Sequence, residues 1–321
     1  MTRLRRPAPG AAARLSSDAR YRNRRPSRGA TMGERIGIAG TGRMGTAFAE
    51  RLVATGHTVT VWNRTASGTK RAQSSGASVA DNLSALVAVS DVILISVRDA
   101  AAVAAVIDGL AASDLSGRLV IDTSTLLPPE KERAAARVSD ADGAFVDCSV
   151  GGTVAPALKG ALLGLAGGSD ADVARARTVM DHLCKRVAHV GPVGAGAQMK
   201  LAVNLPLALY WAALGESLSM LRGAGLSGEV IVDLLASSSA GPTVLGNRAG
   251  VVAATIDGTD QPGTFDIDGL AKDLQLARDW AAAKGAQVPL ADAAARVYDA
   301  AQAEGLGGFD GSSLSRFAAR R

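Results

Sequence analysis

Cysteine, histidine and aromatic residues are all scarce in this chain of 321 residues. It has two cysteines, three histidines and 3% aromatic residues. Two cysteines without metal-ligand spacing and without a preceding secretory signal exclude a disulfide-stabilised secreted domain and indicate a soluble, reducing compartment, the cytoplasm. The three histidines are isolated, with no carboxylate or cysteine at ligand spacing, so the sequence predicts no metal site.

Long uninterrupted apolar runs are also missing. The most apolar segment, residues 201–221, contains Asn204, Pro206 and Glu216, and a membrane-spanning helix needs about 20 consecutive, predominantly apolar residues. We therefore expect no membrane span. The chain is 47% hydrophobic and long enough for two packed domains, since one domain takes roughly 100–200 residues.

The net charge of +5 comes from one end of the chain. Residues 1–31 hold nine arginines and one acid, a local charge of +8, while the remaining 26 bases and 29 acids sum to −3. This segment is rich in Arg, Ala, Pro and Ser and lacks apolar periodicity, which predicts a disordered extension. Met32 precedes the first predicted strand and favours a start-site extension without structural role; a nucleic-acid-binding or targeting tail is the alternative. The mildly acidic body predicts no nucleic-acid partner.

A glycine-rich turn joins the first predicted strand, residues 36–39, to a helix predicted over 46–55. Strand, G-x-G-x-x-G and helix in this order are typical of a dinucleotide-binding fold. The glycines allow a tight turn and close approach to the pyrophosphate, which the helix N-terminus faces. A glycine-rich turn without a ligand is the alternative. The cofactor-binding residues predicted here are Gly40, Thr41, Gly42, Arg43, Met44 and Gly45.

No acidic residue follows the second predicted strand, residues 58–62. At this point the dinucleotide fingerprint expects an acid that binds the adenosine ribose hydroxyls, and the chain has Asn63, Arg64 and Thr65 instead. Arg64 can bind a 2′-phosphate through charge-assisted hydrogen bonds, with Asn63 and Thr65 as further donors. The sequence therefore predicts NADP rather than NAD. A solvated arginine at a strand end is the alternative.

Further strands are predicted at residues 92–95, 119–122, 144–147, 162–165 and 187–190. The early ones alternate with helical stretches, which indicates an α/β fold with a doubly wound parallel sheet. Ligands of such sheets bind beyond the carboxyl ends of the strands. Three segments are placed there: Ser96-Val97-Arg98, Thr123-Ser124-Thr125 and Cys148 to Thr153. Ordinary loops are the alternative for Arg98 and Thr125.

Lysine is rare, with seven among the 35 basic residues, so its positions are informative. Lys200 lies one turn before Asn204 in an apolar helix predicted over 197–221, and the two side chains share one helix face. A buried lysine can lower its pKa and move a proton, whereas arginine cannot. We predict Lys200 and Asn204 as catalytic residues; a lysine that covers apolar surface and reaches water is the alternative. Pro206 is expected to kink or break this helix.

Five motifs in order resemble the β-hydroxyacid dehydrogenase family, which includes 3-hydroxyisobutyrate dehydrogenase and proteins like 6-phosphogluconate dehydrogenase. The motifs are Gly40-x-Gly42-x-x-Gly45, Asn63-Arg64-Thr65, Asp122-Thr123-Ser124-Thr125-x-x-Pro128, Gly194-x-Gly196-x-x-x-Lys200-x-x-x-Asn204 and Lys272-Asp273-Leu274. The resemblance covers residue 34 to about residue 315. It implies an N-terminal Rossmann domain, residues 32–194, and an all-α C-terminal domain, residues 195–321, that forms a homodimer.

The same resemblance implies roles for single residues. Lys200 would be the catalytic lysine, with Asn204 orienting the substrate. Thr125 would lie beside the nicotinamide, and Lys272 would contact the cofactor from the second domain; a surface lysine is the alternative for Lys272. Ser96 and Val97 complete the predicted cofactor site.

One motif departs from the family pattern. After the strand at 144–147 the family has Asp-Ala-Pro-Val-Ser-Gly-Gly, whose serine and glycines bind the substrate carboxylate. This chain has Asp147-Cys148-Ser149-Val150-Gly151-Gly152-Thr153, so the hydroxyl has moved by two residues. Backbone N–H groups of the glycines can still bind an anion. The predicted substrate-binding residues are Ser124, Gly151, Gly152 and Thr153.

The motifs together predict an NADP-dependent oxidoreductase. It would transfer a hydride between nicotinamide and a small β-hydroxy acid or semialdehyde, with Lys200 as acid and base. An NADPH-dependent imine reductase is the first alternative, although such enzymes usually carry Asp or Tyr where this chain has Lys200. A non-catalytic dinucleotide-binding protein that acts through its helical surface is the second, because the carboxylate-binding segment is altered.

Overall fold

The computed structural model describes residues 34–320, and the extension predicted over residues 1–31 lies outside them. The strands are β1 Ile36–Ala39, β2 Val59–Trp62, β3 Ser78–Val79, β4 Val92–Ile95, β5 Leu119–Asp122, β6 Ala144–Gly151, β7 Leu162–Gly167 and β8 Cys184–Gly191. The helices are α1 Arg43–Ala54, α2 Lys70–Ser74, α3 Leu83–Ala88, α4 Ala100–Leu110, α5 Pro128–Ser139, α6 Val154–Leu158, α7 Asp170–Leu183, α8 Ala195–Met220, α9 Gly228–Ser237, α10 Thr243–Asn247, α11 Ala249–Ile256, α12 Ile267–Ala283, α13 Pro289–Ala303 and α14 Gly311–Arg320.

The strands form one sheet in the order β3-β2-β1-β4-β5-β6-β7-β8, and the pairs from β3 to β6 are parallel. Helices cover both faces. Along β4, Val92 and Leu94 pack in one cluster with Phe48 of α1, whereas Ile93 and Ile95 pack in another with α4. Alternate side chains are therefore buried on opposite faces. The predicted α/β class, a doubly wound Rossmann sheet followed by an all-α half, is confirmed.

The last two strands run against the rest of the sheet. β6 pairs with β7 antiparallel, and β7 pairs with β8 parallel, which departs from the parallel sheet expected from the sequence. Only ten residues, 152–161, separate β6 from β7. A parallel crossover needs a dozen residues or more, so the chain can return only antiparallel.

The register of β7 and β8 brings the chain back to the carboxyl ends of the parallel strands. Asp147 aligns with Asp122 at the end of β5, and β7 pairs with the part of β6 that continues beyond it, from Gly151 opposite Leu163 to Asp147 opposite Gly167. β8 ends beside β7 at the same level. The chain therefore leaves the sheet at its ligand-binding edge, and α8 begins there.

Helix α8 connects the sheet to the helical half. It runs unbroken for 26 residues with Pro206 inside it, so the expected break does not occur; tertiary packing stabilises the helix on both sides of the proline. Its first turns pack on β6, β7 and β8, and its later turns pack on α12, α13 and α14. By length and composition alone it is apolar enough to cross a membrane, but it forms the core here, with Leu201, Trp211 and Leu214 buried.

β3 and α14 are among the elements that were not predicted individually from the sequence. β3 has two exposed residues, too few to give an alternating pattern. α14 has a buried face that is rich in serine rather than in aliphatic residues. The hydroxyls take the place of apolar contacts: Ser315 donates to the Trp211 carbonyl at 2.6 Å, and Ser312 is 3.1 Å from the Thr255 hydroxyl.

Two helical glycines should respond to alanine in opposite ways. A Cβ at Gly196 would lie 2.4 Å from the Leu165 carbonyl oxygen and 2.8 Å from that of Asp147, whereas a Cβ at Gly250 meets nothing within 4 Å. Gly196→Ala should cost about 1–3 kcal/mol of unfolding free energy through overpacking. Gly250→Ala should add about 0.5–1 kcal/mol through helix propensity. Urea unfolding measures both, and equal effects would contradict the tight seating of α8 on the strands.

Candidate active site

The glycine-rich turn after β1 leaves space for a ligand at the start of α1. Gly40 has φ +100°, and a Cβ there would lie 2.4 Å from the Ser96 carbonyl oxygen. A Cβ at Gly45 would lie 1.9 Å from the Gly40 carbonyl oxygen, whereas nothing lies within 4 Å of a Cβ at Gly42. No side chain caps α1. Gly40 and Gly45 thus allow the tight turn, and Gly42 leaves the helix N-terminus open to an anion such as a pyrophosphate.

Asn63 at the end of β2 stabilises this turn from within. Its Oδ1 accepts the Thr41 N–H at 3.1 Å, and its Nδ2 donates to the Thr65 carbonyl at 2.9 Å. The Thr41 hydroxyl is buried without a hydrogen-bond partner, which fits a ligand that completes the site. Arg64 and Thr65 are exposed beside it. Asn63 therefore shapes the loop, and Arg64 and Thr65 are the more accessible residues at the end of β2.

Arg43 and Met44 of the same turn contact other parts of the protein. The Arg43 guanidinium donates to the Gly263 carbonyl and to the Asp266 carboxylate, in the segment that leads into α12. Asp266 also caps α12 by accepting the Gly269 N–H at 2.9 Å. Met44 is partly buried against the sheet core. Arg43 thus links the glycine-rich turn to the helical half.

The loops after β4 and β5 meet at the edge of the sheet, as the sequence predicts. The Val97 N–H donates to the Ser124 hydroxyl at 3.1 Å, and the Ser96 N–H donates to the Ala39 carbonyl at 3.0 Å. Thr125 extends the second loop, and its carbonyl accepts a hydrogen bond from the Lys272 ammonium at 3.1 Å. The structure therefore brings the predicted nicotinamide-side residues together with Lys272 of α12.

A chain of polar contacts connects α8 with α12 in the same crevice. The Lys200 ammonium donates to Asn204 Oδ1 at 2.9 Å, and Asn204 Nδ2 donates to Asp273 Oδ2 at 2.5 Å. The other oxygen of Asp273 lies 2.9 Å from the Lys272 ammonium. The side chains predicted from two separate motifs, Lys200 with Asn204 and Lys272, are therefore neighbours, joined through one carboxylate.

Burial decides the acid–base properties of Lys200, which is 7% exposed. Desolvation lowers the pKa of its ammonium, Asp273 raises that pKa, and Lys272 lowers it. A lysine with a lowered pKa releases and recovers a proton more readily than an exposed lysine does. The arrangement can therefore deliver a proton to an oxygen bound in the crevice, or remove one from it.

The altered substrate segment lies partly inside a strand. β6 continues to Gly151, so Cys148 and Ser149 are buried strand residues rather than loop residues facing the crevice. The turn begins at Gly152, which has φ +121°. Thr153 follows as the N-terminal flanking residue of α6 and makes no side-chain capping bond. Gly151, Gly152 and Thr153 are partly or fully exposed, which leaves their polar groups accessible.

Asp273 belongs to the site, although no role was predicted for it from the sequence. It is 4% exposed and touches both Asn204 and Lys272. A signal was present, because Asp273 falls on the buried face of α12 with Ile267, Leu270 and Leu274. An acid at an otherwise apolar helix position needs a buried partner.

Family models match nearly all the described residues. The NAD binding domain of 6-phosphogluconate dehydrogenase matches residues 35–191. The NAD-binding domain of NADP-dependent 3-hydroxyisobutyrate dehydrogenase matches residues 194–318. The border between the two matches falls in the turn between β8 and α8.

Individual proteins are similar over most of the chain. Glyoxylate/succinic semialdehyde reductase 1 of Arabidopsis thaliana is 30% identical, over 87% of this chain and 96% of that protein. The structure of 3-hydroxyisobutyrate dehydrogenase from Mycobacterium tuberculosis with L-serine has a TM-score of 0.78 at 25% identity, covering 88% of this chain and 98% of that one. A reductive aminase from Aspergillus terreus with NADPH, cyclohexanone and allyl amine has a TM-score of 0.60 at 25% identity and the same coverage.

In Asp273→Asn the pKa of Lys200 should fall further, because Asp273 is the group that raises it. The ammonium should then lose its proton at a lower pH than in the unmodified protein. NMR of protein labelled with ¹³C-lysine measures this titration among only seven lysines, and Lys200→Arg identifies the signal. Asp279→Asn, at an exposed position on the same helix, should leave the titration midpoint of Lys200 unchanged. An unchanged midpoint in Asp273→Asn would refute the coupling.

Proposed function

Since this chain belongs to the β-hydroxyacid dehydrogenase family, we propose that it is an NADP-dependent oxidoreductase acting on a small β-hydroxy acid or the matching semialdehyde. The observation that carries the proposal is the contact chain Lys200–Asn204–Asp273–Lys272 at the carboxyl edge of the sheet. It joins the buried ammonium of Lys200, through Asn204, Asp273 and Lys272, to the Thr125 loop that would face the nicotinamide. The nicotinamide, when bound, supplies or accepts the hydride.

Lys200 is proposed as the acid and base of the reaction. In the direction of reduction its ammonium donates a proton to the carbonyl oxygen and stabilises the negative charge that develops there. In the direction of oxidation the neutral amine accepts the hydroxyl proton. Asn204 fixes the position of Nζ, and its own amide is fixed by Asp273. Lys272 holds the Thr125 loop at its carbonyl, which keeps the two sides of the crevice in register.

The cofactor preference is proposed from the end of β2. Gly40 to Gly45 would hold the pyrophosphate, and Arg64 with Thr65 would bind the 2′-phosphate of NADP. Asn63 supports the loop, since both ends of its amide are engaged. The absence of an acid after Trp62 removes the group that would bind the ribose hydroxyls of NAD.

The substrate carboxylate is proposed to bind at Ser124 and at the backbone N–H groups of Gly151 and Gly152, with Thr153 as a further donor. The family serine is replaced by Gly151, so this part of the site relies on backbone donors. A substrate whose anionic group differs in position from that of 3-hydroxyisobutyrate fits this change.

An NADPH-dependent imine reductase is the second candidate. Two observations favour it: the similarity to a reductive aminase and the altered carboxylate segment. The lysine at position 200 and the higher TM-score of the dehydrogenase fold, 0.78 against 0.60, weigh against it. A cofactor-binding protein without catalysis would need no buried proton-transfer group, so we rank it last.

We also propose a homodimer formed through the helical half. Apolar side chains stand exposed at the end of α8 and on α9, with Met220 81%, Leu234 58%, Leu226 45% and Val230 43% exposed. Clustered exposed apolar side chains mark contact surfaces. A second copy of the chain would cover them.

The proposed compartment is the cytoplasm, with a small molecule as the substrate and neither nucleic acid nor membrane as a partner. Cys148 and Cys184 are buried free thiols, and burial raises the pKa of Cys184 to about 12, which keeps it protonated and unreactive. Cell fractionation tests this placement, and recovery in a membrane or organelle fraction would contradict it.

A screen of semialdehydes, glyoxylate and cyclic imines with NADPH should find its best rates among the aldehyde acids. In Lys200→Ala turnover should fall about 10²–10⁴-fold, the range for positioned acid–base and oxyanion groups, while NADPH affinity stays near that of the unmodified protein. Lys200→Arg should not restore turnover, since guanidinium keeps its proton. Lys185→Ala, at an exposed position on β8, is the control. Near-normal turnover in Lys200→Ala would reject the mechanism, and a preference for imines would favour the second candidate.

Arg64→Ala should weaken NADPH binding far more than NADH binding. One charge-assisted pair contributes about 1.5–3 kcal/mol, so discrimination should drop roughly tenfold or more. Titration calorimetry of both cofactors measures it. Arg71→Ala is the matched control, because the Arg71 guanidinium already donates a hydrogen bond to Glu50 at 2.6 Å and so has its own anionic partner. If the unmodified protein binds NADH as tightly as NADPH, the cofactor assignment is wrong.

Leu234→Glu should convert the proposed dimer to a monomer, because it places a charge in the apolar contact. Light scattering after size-exclusion chromatography gives the mass directly. Leu290→Glu, at a position 71% exposed on α13 and outside the α8–α9 cluster, should remain dimeric. If the unmodified protein is a monomer, the proposed homodimer is wrong.

A further inference from the structure

A fully buried ion cluster lies beneath the crevice and has no part in the mechanism above. Lys131 of α5 has a side chain with no exposed surface, and so have Asp122 and Asp147 at the level of the strand ends. The Lys131 ammonium donates to Asp122 Oδ2 at 2.7 Å and to the Asp122 carbonyl at 3.1 Å. It lies 3.5 Å from Asp147 Oδ1. One ammonium thus joins the end of β5 to the middle of β6.

Each of the two carboxylates also holds one side of the crevice. Asp122 Oδ1 accepts the Ser124 N–H at 2.9 Å, which fixes the loop that carries Ser124 and Thr125. Asp147 Oδ2 accepts the Ala197 N–H at 2.7 Å in the first turn of α8, three residues before Lys200. The cluster is therefore a short connection between the nicotinamide-side loop and the catalytic lysine.

The surrounding backbone leaves little room for adjustment. A Cβ at Gly194, which precedes α8, would lie 3.3 Å from Pro128 Cβ and 3.1 Å from Glu132 Oε1 of α5. A Cβ at Gly196 would lie 2.9 Å from Asp147 Oδ2. The starts of α5 and α8 and the middle of β6 are thus in close contact around Lys131. A change in the cluster has to move at least one of them.

Stability alone is a weak reason for this arrangement. Two carboxylates share one ammonium without access to water, and burial raises the pKa of Asp147 while Lys131 lowers it. Buried ion pairs are often no more stabilising than well-packed apolar side chains of the same volume. What an apolar cluster could not do is fix two hydrogen-bond acceptors at defined positions on adjacent strands.

We propose that Lys131 is a positioning residue for the reaction proposed above. It sets the distance between the Ser124–Thr125 loop and the first turn of α8, and through that distance it sets the alignment of Lys200 with the substrate. The inference rests on the proposed function for its kinetic consequence. The geometric consequence, the placement of Lys200, does not depend on any substrate.

The test is the double variant Lys131→Met/Asp122→Asn, which removes one positive and one negative charge and keeps an oxygen that can accept the Ser124 N–H. The matched control is Arg175→Met/Glu34→Gln. Arg175 binds Glu34 at 2.9 Å and the carbonyls of Gly117 and Asp91, next to the amino ends of β4 and β5. The control therefore removes a similar ion pair at the opposite edge of the sheet.

With NADPH and the aldehyde acid of highest kcat/KM in the screen, the double variant should lose about 10- to 100-fold in kcat, since a misplacement of about 1 Å can cost 10²-fold. KM and the NADPH Kd should stay within about threefold, because the binding groups remain. The primary isotope effect on kcat with deuterated NADPH should rise, as hydride transfer becomes slower. The control should keep kcat and the isotope effect, even if its melting temperature falls.

Several outcomes overturn the proposal. An unchanged kcat and isotope effect in a folded double variant would do so, and so would a loss of NADPH affinity as large as the loss of kcat. If the double variant does not fold, Asp147→Asn replaces it. Its asparagine can still accept the Ala197 N–H, while the contacts of Oδ1 with Lys131 and with the Ser149 hydroxyl are lost. The kcat should again fall with KM preserved, and an unchanged kcat overturns the proposal.

The failure of the proposed function gives a different result. If the unmodified protein reduces none of the screened compounds, the function is wrong, and the ¹³C signal of Lys200 then decides the positioning role without a substrate. The chemical shift and titration midpoint of that signal should change in the Lys131→Met/Asp122→Asn protein and remain unchanged in the control. A Lys200 signal unmoved in both proteins refutes the positioning role.

Discussion

The hydrogen bond from the Ala197 N–H to Asp147 places α8, the helix that carries Lys200, on the sheet. A carboxylate at a helix N-terminus is favoured by the helix dipole as well as by the hydrogen bond itself, and the bond is fully buried. Successive residues of a helix are about 100° apart around its axis, as follows from 3.6 residues per turn. A slip of α8 by one residue would therefore turn Lys200 and Asn204 away from the crevice.

The same constraint explains where the few lysines are. Three of the seven, Lys131, Lys200 and Lys272, surround the crevice, each within 2.9 Å of a carboxylate or amide oxygen. An ammonium is a compact point charge that fits between buried oxygens, whereas the planar guanidinium needs a wider space. Arg35, by contrast, pairs with Asp91 where both side chains are partly exposed. The ion pair with no exposed side-chain surface, Lys131 with Asp122, therefore uses an ammonium.

Local patterns carry most of what the sequence predicts. The glycine-rich turn, the core strands and the Lys200–Asn204 pair depend on neighbours within a few residues, so spacing is enough to recognise them. The contact of Asn204 with Asp273 joins residues 69 positions apart, and Lys131 reaches Asp147 from a different element. Such contacts depend on how β6 and β7 pair. That pairing follows from the short connection between the two strands, and the hydrophobic periodicity of the sequence does not predict it.

Arg43 shows that a local sequence pattern leaves long-range contacts unpredicted. Its place in the glycine-rich turn predicts a contact with the cofactor, while its guanidinium binds Asp266 and the Gly263 carbonyl in the helical half. Asp266 caps α12, the helix that carries Lys272 and Asp273. The turn, the Thr125 loop and the strand edge thus each have a bond to the helical half. These three bonds end on α8, on α12 and on the segment that leads into α12, and the two helices carry Lys200 and Asp273, the carboxylate that raises the pKa of Lys200.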